Sequence, residues 1–237
     1  MTSTAVITAR ETRQQPLAPW WHTLVVLTPI MIGSVASLYE HGLPNANLPG
    51  LSQRLSSYFT VLVVEWLGVL LIWLALRRRG LAIRDLVSGR WDTGRAFFRD
   101  LGVALGFLAI VIPTVGALAY LLGADANRAL NNIPPKTLFE LLVFLGMSAS
   151  AGFAEELVFR GYLTQQLNAW TGRYSSAIIL QGIIFGLAHG FYGKAMLAVT
   201  VQGWLLGFLV YWRKSLRSGM LAHGLQDSIG GIVAFFS

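Results

Sequence analysis

Long apolar blocks alternate along this chain with short polar connectors. Seven of the blocks approach the length that crosses a bilayer as a helix, about 20 residues. They run over residues 20–39, 57–76, 101–122, 137–156, 175–189, 195–212 and 219–236. The pattern predicts an all-α fold, a polytopic helical membrane protein with about seven transmembrane helices. The fifth block is short for a full crossing and is expected to bend or to stop inside the bilayer. The first block resembles a signal peptide in outline, with Arg10 and Arg13 before it and SVAS at 34–37 within it. Two tryptophans open it, Pro29 lies mid-run and no sharp polar boundary follows, so it is read as a retained span.

Composition agrees with the pattern. Of 237 residues 54% are hydrophobic and only 12% charged, about half the charged share of a typical soluble domain, and the mean hydropathy is +0.58. The chain has no cysteine, which removes both a disulfide framework and a thiol nucleophile. Lysine and arginine are unevenly placed. With the N-terminus inside, 14 of them fall in cytoplasmic segments: Arg10 and Arg13, seven arginines over 77–99, Arg160 and Arg173, then Arg213, Lys214 and Arg217. Arg54, Arg128, Lys136 and Lys194 fall on the other side. The positive-inside rule therefore predicts a cytoplasmic N-terminus, in an integral protein of the bacterial cytoplasmic membrane. The net charge of +7 lies mostly where that rule wants it, so no nucleic-acid partner is expected; the bilayer is. Residues 77–99 read as a basic cytoplasmic segment with an amphipathic helix on anionic headgroups.

Ionisable residues inside apolar blocks cost several kcal/mol or more unless a partner or a polar cavity receives them. Glu65, within VLVVEWLGVLL, is read as a structural hydrogen-bond acceptor facing the bundle. Glu140, near the outer end of its block, is expected to reach the interface. Glu155 and Glu156 differ from these. Arg160 follows Glu156 at i+4, so those two share one helical face and can pair. Adjacent helical residues point about 100° apart, which leaves Glu155 without that arginine and suited to take and give a proton. The spacing thus makes Glu156 and Arg160 structural and Glu155 the working acid. His189 closes FGLAH, with Phe185 one turn before it. His223 opens HGLQD, with Asp227 one turn after it, where a carboxylate can orient an imidazole. His22 and His41 read as ordinary surface residues, His41 in a loop. The candidates between 155 and 227 predict one buried polar active site. Gly182, Gly186 and Gly190, and Gly203 and Gly207, form small-residue rows that let helices approach.

The motifs EELVFR, FGLAH and HGLQD, in that order, resemble the CPBP family of intramembrane proteases, also known as the type II CAAX prenyl protease or Abi family. The resemblance covers about residues 137–237. It divides one integrated membrane domain into an N-terminal transmembrane region with the basic segment, 1–130, and a CPBP-type catalytic core, 131–237. What it implies is hydrolysis of peptide bonds in membrane-associated or prenylated peptides and proteins. Glu155 and His189 would activate the attacking water, His223 and Asp227 would stabilise the oxyanion, and Glu156, Arg160 and Phe185 would support the site. For Glu155 and His189 to share a water, the fourth helix is expected to run on past Arg160, to about Leu167, with Arg160 hydrated from a cytoplasm-facing cavity. A metal-free glutamate mechanism, with no cofactor required, is the expectation. A zinc ion ligated by His189 and His223 is the alternative, although the HExxH signature of soluble metalloproteases is absent.

Two other classes fit parts of the sequence. A proton-coupled transporter would also bury acids and histidines, but no inverted repeat is evident. A non-proteolytic scaffold of the same family would not need Glu155, His189 and His223 to be intact.

Overall fold

A computed structural model describes residues 15–41, 50–124 and 134–236. Arg10, Arg13 and Arg128, which entered the charge bias, lie outside them. Among the described residues the chain is all-helical. Helix α1 spans Trp20–His41, α2 Leu51–Arg77, α3 Ile83–Val87, α4 Gly94–Leu121 and α5 Leu138–Glu155. A π-helical stretch Glu156–Leu163 joins α5 to α6, Thr164–Thr171. Then come α7 Tyr174–Ala188, a 3₁₀ segment Gly190–Ala195, α8 Met196–Arg213 and α9 Arg217–Phe236.

Every predicted apolar block is helical, but not every helix has the length and hydropathy of a span. Four do: Leu51–Arg77, Gly94–Leu121, the continuous Leu138–Thr171 and Tyr192–Arg213. They are consistent with an integral membrane protein. Trp20–Ala36 and Tyr174–Ala188 are shorter apolar helices. Helix α9 is long enough, at 20 residues, but Ser218, His223, Gln226, Asp227 and Ser228 dilute its apolar character.

The fourth span overruns its apolar block, as the motifs require. The block 137–156 ends beside Glu155, but the helix runs on past Arg160 and slightly beyond Leu167. It continues through the π stretch for 34 residues, roughly 50 Å at 1.5 Å per residue. Glu155 is the 18th of these and so lies near mid-helix. Helix α7, at 15 residues, spans only about 22 Å, less than the roughly 30 Å hydrocarbon core. His189 at its end therefore falls at a depth that Glu155 can reach.

Glycines set how closely the site-bearing helices approach. A Cβ on Gly152 would lie 2.6 Å from the Gly224 backbone nitrogen and 2.7 Å from the Met220 carbonyl oxygen. Helices α5 and α9 thus pack backbone against backbone. Helices α7 and α8 meet likewise at Gly182 and Gly203, where an added Cβ on Gly203 would lie 2.9 Å from the Gly182 Cα.

Polar clamps fix the two ends of the bundle. Glu140, in the first turn of its helix, is covered by partners there. It is fully buried, accepts from Arg54 Nε at 2.6 Å and from the backbone of Lys136 and Thr137 at 2.8 Å each, and closes the capping box of α5. At the other end Asp100 of α4 is buried between Arg213 Nη2 at 2.9 Å and Arg217 Nε at 3.1 Å, tying α4 to α8 and α9. The basic segment forms only the short α3 before the Thr93 cap of α4. Leu86 of α3 is buried, and the Val87 carbonyl accepts from Leu216 N and Ser215 Oγ.

His22 is also not a surface residue. It is buried, with Nδ1 2.8 Å from the Tyr162 hydroxyl and Nε2 3.2 Å from the Leu71 carbonyl oxygen. A carbonyl only accepts, so Nε2 carries the proton and Nδ1 accepts from the tyrosine. Gln166 completes the clamp by bonding Ala18 N, Ala18 O and Thr23 Oγ1. The start of α1 is thereby fastened to the π stretch. His41 is the last residue of α1 rather than part of a loop.

Candidate active site

The π stretch positions the first two site residues. Its wider turn uses i→i+5 bonding, seen also in the Thr164 hydroxyl donating to the Phe159 carbonyl at 2.9 Å. Such segments cluster at functional sites. Glu156 opens this one and Arg160 lies within it, Arg160 Nη1 donating to Glu156 Oε1 at 2.9 Å with both side chains fully buried. The sequence reading expected a hydrated Arg160 in a cavity open to the cytoplasm. The guanidinium instead lies 4.0 Å from the centroid of the Phe185 ring, a cation–π contact that partly replaces water.

Phe185 is the hub of the aromatic packing. Phe159 meets it edge-on at 5.0 Å, and the rings of His189 and His223 lie 4.6 and 5.9 Å away. One apolar side chain thus sets the position of three polar ones.

The two histidines have defined roles for their nitrogens. His189 Nδ1 is 2.8 Å from the Phe185 carbonyl oxygen, which can only accept, so Nδ1 carries a proton and Nε2 points elsewhere. His223 Nδ1 is 3.0 Å from Glu156 Oε1. That carboxylate already accepts from Arg160, so Nδ1 of His223 is the donor. Glu156 therefore holds an arginine and an imidazole together. The i+4 spacing had pointed to Asp227 as the acid that orients His223. Asp227 Oδ2 instead faces the other ring nitrogen, Nε2, at 3.6 Å, with the Asp227 side chain 36% exposed.

Glu155 faces away from that pair. Its Oε2 lies 3.9 Å from His189 Nε2 and 3.8 Å from His223 Nε2 and has no hydrogen-bond partner although it is buried. These separations exceed a direct hydrogen bond and match a span bridged by one water. Glu155, His189, His223 and Asp227 line a single cavity of about 610 Å³. Val61, Ile112, Val115, Phe144, Ile229 and Val233 give it apolar walls.

Glu65 lines the same cavity, and neither of its buried carboxyl oxygens has a hydrogen-bond partner. It is not the satisfied acceptor that the sequence suggested. The signal for it was present, an acid in the middle of an apolar span. Only the fold could say that no partner meets it.

Among the described residues no group of three or more His, Asp or Glu side chains has an arrangement that could hold a metal ion.

Residues 137–229 match the family described as Type II CAAX prenyl endopeptidase Rce1-like. No curated protein and no solved structure matches the chain.

Proposed function

From an Rce1-like type II CAAX prenyl endopeptidase domain over residues 137–229, we propose that this protein is an intramembrane endopeptidase acting on membrane-associated or prenylated peptides. The observation that carries the reading is the convergence of His189 Nε2 and His223 Nε2 on the unpartnered Glu155 Oε2. A carboxylate and two imidazoles at one point provide a base, an acid and an oxyanion donor without a serine or cysteine nucleophile.

The chemistry follows from the tautomers. A water between Glu155 and His189 donates one hydrogen to the carboxylate and one to the lone pair of His189 Nε2. Its oxygen attacks the scissile carbonyl carbon as its proton passes to Glu155. The oxyanion accepts from His223 Nε2–H, on an imidazolium held by Glu156 at Nδ1 and flanked by Asp227 at Nε2. When the C–N bond breaks, Glu155 returns the proton to the leaving amine. One water is consumed, and a carboxylic acid and an amine result. Glu156 and Arg160 take no part in the bond changes; they hold His223 and Phe185.

The apolar cavity wall suits a lipidated or membrane-spanning chain better than a soluble peptide. We assign all seven helices of the predicted spans to the membrane, with the N-terminus cytoplasmic on the strength of the lysine and arginine bias. The test is cleavage of a prenylated peptide and of an unprenylated, membrane-anchored peptide by purified protein and by Glu155→Gln. Cleavage of one or both by the wild type alone is expected. Equal products from the two proteins would refute the assignment.

A further inference from the structure

Glu65 has no part in the mechanism just described, yet it is the most anomalous residue in the molecule. It stands in the middle of α2, is only 6% exposed and has two unpartnered carboxyl oxygens. Among the described residues every other acid buried to this degree is met by a donor. Glu140 has Arg54, Asp100 has Arg213 and Arg217, and Glu156 has Arg160 and His223. An acid in such surroundings that receives no donor costs stability.

The packing of α2 on α5 fixes where Glu65 points. The two helices run in the same direction. Arg54 pairs with Glu140, Tyr58 packs on Phe144, and Trp66 Nε1 donates to Ser150 at 2.8 Å. These partners are 86 and 84 residues apart where hydrogen bonds join them. That register sets Glu65 level with Ser150 and Ala151, one turn before Glu155. Both acids line the one cavity, and Glu65 is within electrostatic reach of Glu155, His223 and Asp227.

The imidazole donors of the site are already committed. The Nδ1–H groups of His189 and His223 go to Phe185 and Glu156, and their Nε2 atoms face Glu155. Glu65 itself meets no donor, and an extended peptide brings a row of them. Alternate backbone N–H groups of a strand lie on one side, about 6.8 Å apart. A chain offering its scissile carbonyl to Glu155 can therefore offer a neighbouring N–H to a carboxyl one helical turn away.

We propose that Glu65 is a substrate-binding residue that accepts a hydrogen bond from a backbone N–H of the peptide beside the scissile bond. The proposal rests on the endopeptidase reading above and adds a subsite to it. It also accounts for the unsatisfied carboxyl, which is kept for a ligand at a cost to the fold, as functional sites commonly are.

The test uses the full chain with Glu65→Gln and Glu65→Leu, and reads stability, kinetics and binding separately. Melting temperature should stay level or rise in both variants, because the fold loses no partner. On a farnesylated tetrapeptide or a membrane-anchored peptide, KM should rise about tenfold while kcat stays within about threefold, as for loss of one hydrogen bond made to bound substrate. Binding of the same fluorescent peptides to Glu155→Gln protein should weaken by a similar factor when Glu65→Gln is added. A fall in melting temperature in both variants would make Glu65 structural and overturn the proposal. So would an unchanged KM, a loss confined to kcat, or an absence of peptide binding altogether. If the peptides bind through Glu65 but the wild type cleaves none of them, the endopeptidase reading fails while the binding role stands.

Discussion

Helix α5 carries an acid near each end, and the two are treated in opposite ways. Glu140, in its first turn, accepts from Arg54, from the backbone of Lys136 and Thr137 and from the Thr137 hydroxyl. Glu155, its last residue, is partly exposed, with its buried Oε2 unpartnered and turned to a cavity. One carboxylate is saturated by the protein, the other is left for something else. The next residue sharpens the contrast, because Glu156 is bound by both Arg160 and His223. In an apolar bundle, an acid with its donors supplied holds the fold together. An acid denied them is available for chemistry or for a ligand.

The largest effect expected from breaking this contrast is on activity. Glu155→Gln should lower peptidase turnover by about 100-fold or more, as for loss of a positioned base, with melting temperature nearly unchanged. Steady-state kinetics and a thermal melt on the same preparation check both halves. A well-folded, fully active Glu155→Gln would end the assignment.

Glu156→Gln should do the reverse in stability. It leaves the Arg160 guanidinium buried without a counter-charge, and breaking a buried pair in this way costs about 3–5 kcal/mol. Denaturant or thermal unfolding in detergent should show a lowered midpoint. If Glu156→Gln were stable and only inactive, the two glutamates would have exchanged roles.

Gly152→Ala tests the frame that brings the two halves of the site together. Its Cβ would strike the α9 backbone at Met220 and Gly224, which cannot yield as a side chain can. Overpacking of this kind costs about 1–3 kcal/mol. The variant should lose stability and activity together, since His223 moves away from Glu155. Normal activity in a Gly152→Ala protein would mean that the close approach is not required.

Smaller changes are expected at the rim. Asp227→Asn should fold and keep activity to within about tenfold, because Glu156 holds His223 from the other nitrogen and an amide can itself donate to an oxyanion. A strong chelator should leave wild-type activity unchanged under this mechanism; loss on chelation with recovery on zinc would replace it with a metal mechanism.

Much of this contrast could be read from the sequence, and the limits have a physical cause. The apolar blocks become helices because a helix satisfies its own backbone wherever water is excluded. The split between Glu155 and Glu156 was legible because an i+4 partner is local. The second partner of Glu156 was not, since His223 lies 67 residues on. His22 was misread for the same reason, its Tyr162 partner being 140 residues away. The hydropathy pattern alone stops the fourth span short, because a buried arginine resembles a membrane boundary; its continuation past Arg160 was legible only from the need for Glu155 and His189 to share a water. Glu65 could be found as an anomaly but not interpreted. Whether a buried acid is satisfied depends on every helix around it.

The orientation that sets which side serves the cavity can be tested on a cysteine-free background. A cysteine in place of the exposed Asp92 should react with impermeant reagent only from the cytoplasmic side, and one at Ser52 only from the opposite side. Labelling of the Asp92→Cys protein in intact cells would invert the topology.

The central claim, that Glu155 is left unpartnered for peptide hydrolysis in the membrane, is tested most directly by comparing membrane peptidomes. Cells carrying the wild-type protein and cells carrying Glu155→Gln, expressed to equal levels, should differ by a defined set of cleaved membrane or lipidated peptides whose new ends appear only with the wild type. Identical peptidomes from two equally folded proteins would contradict the account.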